Sequence, residues 1–221
     1  MNEWIFAMHL LLVVSCVLQA LRLGRETLIA WVALQALFAN LFVLKQVDLF
    51  GLSATCSDVY AIGSMVGLNL MQEFFGKESG RRAMEISFFF LLLFALMGEL
   101  HLSYLPNTSD TAQPAYATLL SPSPRLLFAS LLTFFLVQQI DLHLFAKLRS
   151  LMRTQPLWLR SGLSLVLSQA IDTLLFTFLG LYGLVGHVGQ LMLVSFLLKV
   201  IVIIALSPVS LMARRVYGVR I

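Results

Sequence analysis

Between Trp158 and Leu184 the chain runs WLRSGLSLVLSQAIDTLLFTFLGLYGL, a stretch apolar enough to cross a bilayer, yet Ser168, Gln169 and Asp172 stand near its middle. About 20 helical residues, rising about 1.5 Å each, span a hydrocarbon core of about 30 Å. A carboxylate at that depth is costly against lipid, so it must turn toward other helices or a polar cavity. The stretch therefore requires a bundle around it.

Other runs supply that bundle. Of 221 residues, 59% are hydrophobic and 12% charged, whereas a soluble domain carries about 25% charge. Seven candidate spans can be drawn, at 4–21, 27–46, 57–75, 84–105, 125–147, 158–184 and 189–213. The fold class is an all-α polytopic integral membrane protein with about seven transmembrane helices. A glutamate rather than basic residues precedes the first apolar run, which is expected to remain as a helix and not to be a signal peptide. The third run is rich in Gly and Ser and carries Asp58 and Asn69, so both a full span and a re-entrant segment are open for it.

The formal charge is +4, and the basic residues gather at span ends: Arg22 and Arg25; Lys77, Arg81 and Arg82; Lys147, Arg149, Arg153 and Arg160; Arg214, Arg215 and Arg220. The connections 47–56, 106–124 and 185–188 contain no Lys or Arg. This alternation fits an outside N-terminus and a cytoplasmic C-terminus. Direct nucleic-acid binding is not expected, because no hydrophilic domain gathers these charges on one surface. The connection 106–124 has no strong helical or strand period and reads as an external loop. Pro208, inside the last span, predicts a kink or an early change of direction. Cys16 and Cys56 offer no metal spacing or disulfide framework, and no phosphate loop or catalytic motif is present in the sequence. Neither a metal, a cofactor nor an enzymatic activity is expected.

The polar residues inside the spans are the candidate site. Gln138-x-x-Asp141-x-x-x-Phe145 recurs as Gln169-x-x-Asp172-x-x-x-Phe176. In each copy the three side chains share roughly one helical face. Two antiparallel helices can thus present similar groups to a common cavity, with Ser168 beside them. Asp172 is the leading candidate, as an acceptor for N–H donors or as a protonatable coupling group; a structural carboxylate is the plainer reading. Lys199, near the middle of the last span, is expected to pair with Asp172 or Asp141. Asn40 can bind a heterocycle edge or lock two helices together. Glu73, ahead of Lys77, Glu78, Arg81 and Arg82, can form an inner gate by charge pairing. Asp58, Glu99 and His101 read as interfacial. Such amides and carboxylates suit a planar polar solute bearing N–H donors.

These residues resemble the queuosine-precursor transporter family, also called the vitamin-uptake or VUT family. The resemblance runs through Asn40 with Lys45 and Phe50-Gly51-Leu52, Glu73-Phe74-Phe75-Gly76-Lys77 with Arg81, and Gln138 with Asp141. It continues through Trp158-Leu159-Arg160, Ser164, Ser168-Gln169, Asp172-Thr173 and Phe176, then Lys199 and Pro208. Asn69 stands where many relatives have an aspartate. The resemblance implies a six-helix transport domain over 27–213, an additional N-terminal helix and short cytoplasmic connection over 1–26, and a basic cytoplasmic tail over 214–221. It also implies uptake, across a bacterial inner membrane, of queuine or a related 7-deazaguanine base. Asn40, Gln138, Asp141, Ser168, Gln169 and Asp172 would bind the base, and Glu73 and Lys199 would gate or balance charge. The alternatives are a substrate-binding subunit served by an energising ATPase partner, and an intramembrane enzyme. A homo-oligomer is compatible with either transport reading.

Overall fold

The computed structural model describes residues 1–120, 124–183 and 188–218. Long helices dominate: α1 (Asn2–Leu23), α2 (Arg25–Leu41), α3 (Ser57–Phe75), α4 (Lys77–Leu102), α6 (Pro124–Leu151), α7 (Leu157–Phe176) and α8 (Val188–Gly218). A short α5 (Gln113–Leu120) and an antiparallel hairpin of β1 (Gln46–Leu49) and β2 (Leu52–Thr55) complete the described elements. Among the described residues five helices are long and apolar enough to cross a membrane: α1, α4, α6, α7 with its extension, and α8. The chain is an all-α polytopic membrane protein.

Helix α3 is the axis of the bundle. From Val59 to Gln72 nearly every residue is buried, and α3 touches α1, α2, α4, α6, α7 and α8. It is one continuous helix of 19 residues, though not one of the five that are long and apolar enough by themselves to cross a membrane. Its glycines permit the approach of α2: a Cβ at Gly67 would lie 2.9 Å from Val32 Cγ2, and one at Gly63 would lie 3.1 Å from Gln35 Oε1. Such small residues four apart let helix backbones come close. Trp31 Nε1 donates to the Gly63 carbonyl at 3.3 Å, and Ser64 Oγ donates to the Val32 carbonyl at 3.1 Å across the same contact.

Helix α7 shows how the sequence sorts its faces. Its buried residues are Leu157, Arg160, Ser161, Ser164, Leu165, Ser168, Gln169 and Thr173, which recur every three or four positions along one face. Exposed Leu163, Leu167 and Leu174 occupy the other side. Polar inside and apolar outside is the arrangement that lipid favours and water opposes.

Several connections differ from expectation. The segment 106–124 holds α5, whose N-terminal N–H groups at Ala112 and Gln113 are capped by Asp110 Oδ1 at 2.8 and 3.1 Å. A helix of eight residues gives too few turns for a period to show in the sequence. The hairpin over 46–55 was likewise unannounced. Its turn places Phe50 (φ 52°) and Gly51 (φ 77°) both in the left-handed region, as a two-residue hairpin turn requires. Asn2 Nδ2 donates to the Asp48 carbonyl at 3.0 Å, and the Phe50 N–H donates to Glu3 Oε1 at 3.4 Å, which ties the hairpin to the start of α1. Beyond α7 the chain continues as a π-helical turn over Thr177–Leu181. Arg125 donates to the carbonyls of Leu179 and Tyr182, at 2.9 and 2.7 Å, and so satisfies this irregular end. Helix α8 passes through Pro208 and continues to Gly218, so Arg214 and Arg215 are helical. The expected outer connection at 185–188 falls almost wholly outside the described residues.

Candidate functional site

Asp141 on α6 is fully buried, and its Oδ1 accepts two hydroxyls from α7: Ser164 at 2.6 Å and Ser168 at 2.9 Å. One turn back, Gln138 Nε2 donates to Ser64 Oγ of α3 at 3.3 Å. Gln169 Nε2 of α7 donates to Met65 Sδ of α3 at 2.9 Å. Six polar side chains from three helices thus meet in one seam around the middle of α3, joined there by Asn69, whose Nδ2 donates to Ser161 Oγ at 3.1 Å.

The seam is rich in acceptors and short of donors. Asp141 Oδ2, Gln138 Oε1, Gln169 Oε1 and Asn69 Oδ1 are buried without a hydrogen-bond partner among the described residues. Unpaired buried polar atoms cost free energy. Four in one seam mark a place suited to a solute that brings N–H groups.

Asp172 lies in a second polar group. It is ion-paired with Lys199 of α8, and Lys199 Nζ also approaches Thr173 Oγ1 at 3.3 Å and Asp58 Oδ1 of α3 at 4.0 Å. The expected pairing of Lys199 with Asp172 is therefore observed. Asp58, read from the sequence as interfacial, is a third member of this cluster. Two carboxylates against one ammonium leave a surplus of one negative charge. The Asp172 side chain is 25% exposed, whereas Asp141 is wholly enclosed. The repeated Q-x-x-D segments thus hold their carboxylates in different partnerships, hydroxyls for Asp141 and an ammonium for Asp172.

Asn40 bridges helices: its Oδ1 accepts from Ser130 Oγ of α6 at 2.7 Å, and its Nδ2 donates to the Ala36 carbonyl at 3.0 Å. Glu73, at the end of α3, is held by three arginines distant in sequence. Arg149 Nε lies 3.2 Å from Oε2, while Arg160 Nη2 and Arg214 Nη2 lie 3.0 and 3.4 Å from Oε1. Arg149 also donates to the carbonyls of Gln72 and Glu73, at 2.5 and 3.0 Å. The nearby Arg81 pairs with Glu85 one turn along α4. The charge pairing expected at Glu73 exists, but with α6, α7 and α8 and not with its neighbours in the chain. His143 faces outward, its Nδ1 2.8 Å from the Gln139 carbonyl.

Sequence reasoning missed Ser64, Asp58 and the arginine partners of Glu73. Ser64 had a usable signal, since a small hydroxyl on a helix buried all round lies on a helix contact whichever way it points.

Over residues 57–213 the chain matches the family model described as "Putative vitamin uptake transporter". It is 34% identical over 163 residues to the "Probable queuosine precursor transporter" of Bacillus subtilis (strain 168), a match covering 72% of this chain and 71% of that protein. No solved structure matches the chain. The region matched by the family model takes in α3, the Asp141 seam, the Lys199 cluster and Glu73 with Arg149 and Arg160, and leaves Asn40 and Arg214 outside. The chain belongs to this family of membrane uptake transporters.

Proposed function

We propose that the chain imports a queuosine precursor, queuine or a related 7-deazaguanine base, across a bacterial inner membrane by alternating access. The observation that carries this reading is the set of unpartnered acceptors beside Asp141. A deazaguanine edge presents several N–H donors in one plane, which matches Asp141 Oδ2 and the carbonyl oxygens of Gln138 and Gln169. Family membership and the printed name of the Bacillus subtilis relative support the substrate class. Ser168, with Ser164, would hold the carboxylate in place while its other oxygen binds the base. Asn40 would act at the α2–α6 boundary of the path.

The seam is closed in this conformation, because Gln138, Asp141, Ser164, Ser168 and Gln169 are all buried. Substrate entry therefore requires α6 and α7 to move relative to α3. Glu73 and its arginines tie the ends of α3, α6, α7 and α8 together. With the C-terminus cytoplasmic, as the distribution of Lys and Arg supports, this tie is an inner gate in its closed state. Lys199 balances Asp172 and Asp58 as α7 and α8 move together. The seam offers hydrogen bonds and charge, which suit carrying a base unchanged rather than converting it.

The test is uptake in a host that can neither make nor import queuosine precursors, with each 7-deazaguanine supplied singly and queuosine in tRNA as the readout. Expression of the chain should restore modification, and Asp141→Asn at matched membrane level should reduce it at least about tenfold, as loss of a charged acceptor predicts. Unimpaired rescue by Asp141→Asn would remove Asp141 from recognition, and no rescue with any base would overturn the substrate class. Accumulation of unchanged base in sealed vesicles containing only the purified chain separates this reading from an ATP-driven partner complex and from an enzyme.

A further inference from the structure

A cavity of about 400 Å3 opens where the ends of α3, α6, α7 and α8 meet, lined by Glu73, Ala146, Arg149, Ser150, Arg153, Arg160 and Arg214. Four guanidiniums face one carboxylate, a surplus of three positive charges. Glu73 already engages Arg149, Arg160 and Arg214, but each guanidinium carries more N–H donors than these contacts use. Arg160 is 3% exposed and its Nε is buried without a partner. Arg153, at the start of the α6–α7 turn, makes no hydrogen bond or ion pair among the described residues. A buried, charged and incompletely bonded guanidinium beside a cationic cavity lacks the multivalent acceptor that its geometry suits.

We propose that this cavity is a binding site for a phosphate-type anion, held by Arg153 and by the free N–H donors of Arg149, Arg160 and Arg214. Planar guanidinium forks match phosphate oxygens in pairs, and several of them around one cavity favour a group with more than one acceptor oxygen. The same chemistry comes from two sources: the phosphodiester of an anionic lipid at the membrane surface, or a soluble phosphate from the cytoplasm. The bound anion would share guanidiniums with Glu73, which places it on the residues that tie the four helix ends together. Its existence does not depend on which solute the transporter carries.

The experiment uses the full chain in nanodiscs and needs no transport substrate. In one arm the discs are phosphatidylcholine alone or phosphatidylcholine with phosphatidylglycerol, and retained lipid is counted by native mass spectrometry. In the other arm pyrophosphate is titrated into phosphatidylcholine discs and the unfolding temperature is followed. Binding in the first arm identifies a lipid headgroup, and binding in the second a soluble phosphate. In whichever arm responds, Arg153→Gln should weaken binding about tenfold, the loss expected for one charge-assisted contact, while Arg215→Gln, outside the cavity, should not. Arg153 is exposed and unpaired, so its replacement leaves the fold intact. No response in either arm, or equal weakening by Arg153→Gln and Arg215→Gln, would overturn the site.

Discussion

Ser164 Oγ donates to Asp141 Oδ1 at 2.6 Å, and the same oxygen takes Ser168 Oγ from one turn further along α7. One carboxylate oxygen thus fastens α6 to α7 at two successive turns, while Oδ2 has no partner among the described residues. The two serines do the same task on the same atom, and their effects should not add. Each single change to alanine should cost about 1 kcal/mol, in the range of hydrogen bonds between helices in membranes. Ser164→Ala/Ser168→Ala should cost more than the two singles together, because only then does the buried Oδ1 lose every donor. Unfolding of the four proteins in detergent gives the coupling, and strict additivity would contradict the arrangement.

Lys199 sits between Asp172 and Asp58, so removing the lysine and removing one aspartate are unequal losses. Lys199→Met leaves two carboxylates facing each other in the bundle and should destabilise by about 3–5 kcal/mol, the range for breaking a buried pair. Asp172→Asn leaves the ammonium with Asp58 and should cost less. Adding Asp172→Asn to Lys199→Met should recover part of the loss by removing one of the stranded charges. Yield and thermal unfolding of the three variants measure this order, and a double variant worse than Lys199→Met alone would refute it.

The Lys199–Asp172 pair was legible because opposite charges in apolar spans have few other places to go. The burial of the two aspartates was less so: local sequence places Asp172 at the centre of its run, whereas packing encloses Asp141 and leaves Asp172 partly exposed. Nothing in the sequence places Asp141 opposite Ser164 and Ser168, since the relative rotation of α6 and α7 is set by whole helix faces. Glu73 shows the same limit. Its charged neighbours Lys77, Arg81 and Arg82 are close in the chain, yet the helix turns them away and Gly76 (φ 89°) redirects α4. Arg149, Arg160 and Arg214 reach it from three other helices. The helices themselves were legible from their length and hydropathy, while α5 and the hairpin are too short to impose a period.

Gly67 and Gly162 are both helical, and only the first faces a neighbour. A Cβ at Gly67 would lie 2.9 Å from Val32 Cγ2 and 3.0 Å from Trp31 Cδ1, whereas one at Gly162 meets nothing within 4 Å. Gly67→Ala should destabilise by about 1–3 kcal/mol through overpacking of α2 on α3. Gly162→Ala should be neutral or stabilise by up to about 1 kcal/mol, the difference in helix propensity. Paired melting curves decide it, and equal effects at the two sites would mean that α2 and α3 do not make this close approach.

Glu73 is the one carboxylate among four arginines, and it holds ends of α6, α7 and α8 to its own helix. Glu73→Gln keeps the shape but removes the charge, so Arg160 loses its counterion inside the protein. If, with the C-terminus cytoplasmic as proposed, these contacts hold the inner end shut, the variant should open it more often. A cysteine placed at Ala146, which lines the cavity, should then react faster with a membrane-impermeant thiol reagent from the cytoplasmic side, with Cys16 and Cys56 first replaced by serine. Two- to tenfold acceleration corresponds to weakening the closed state by about 0.4–1.4 kcal/mol. Restoring the carboxylate with Glu73→Asp should return much of the protection. Labelling that is unchanged in Glu73→Gln, with the protein folded and inserted, would show that the inner end is closed by packing and not by this ion pair network.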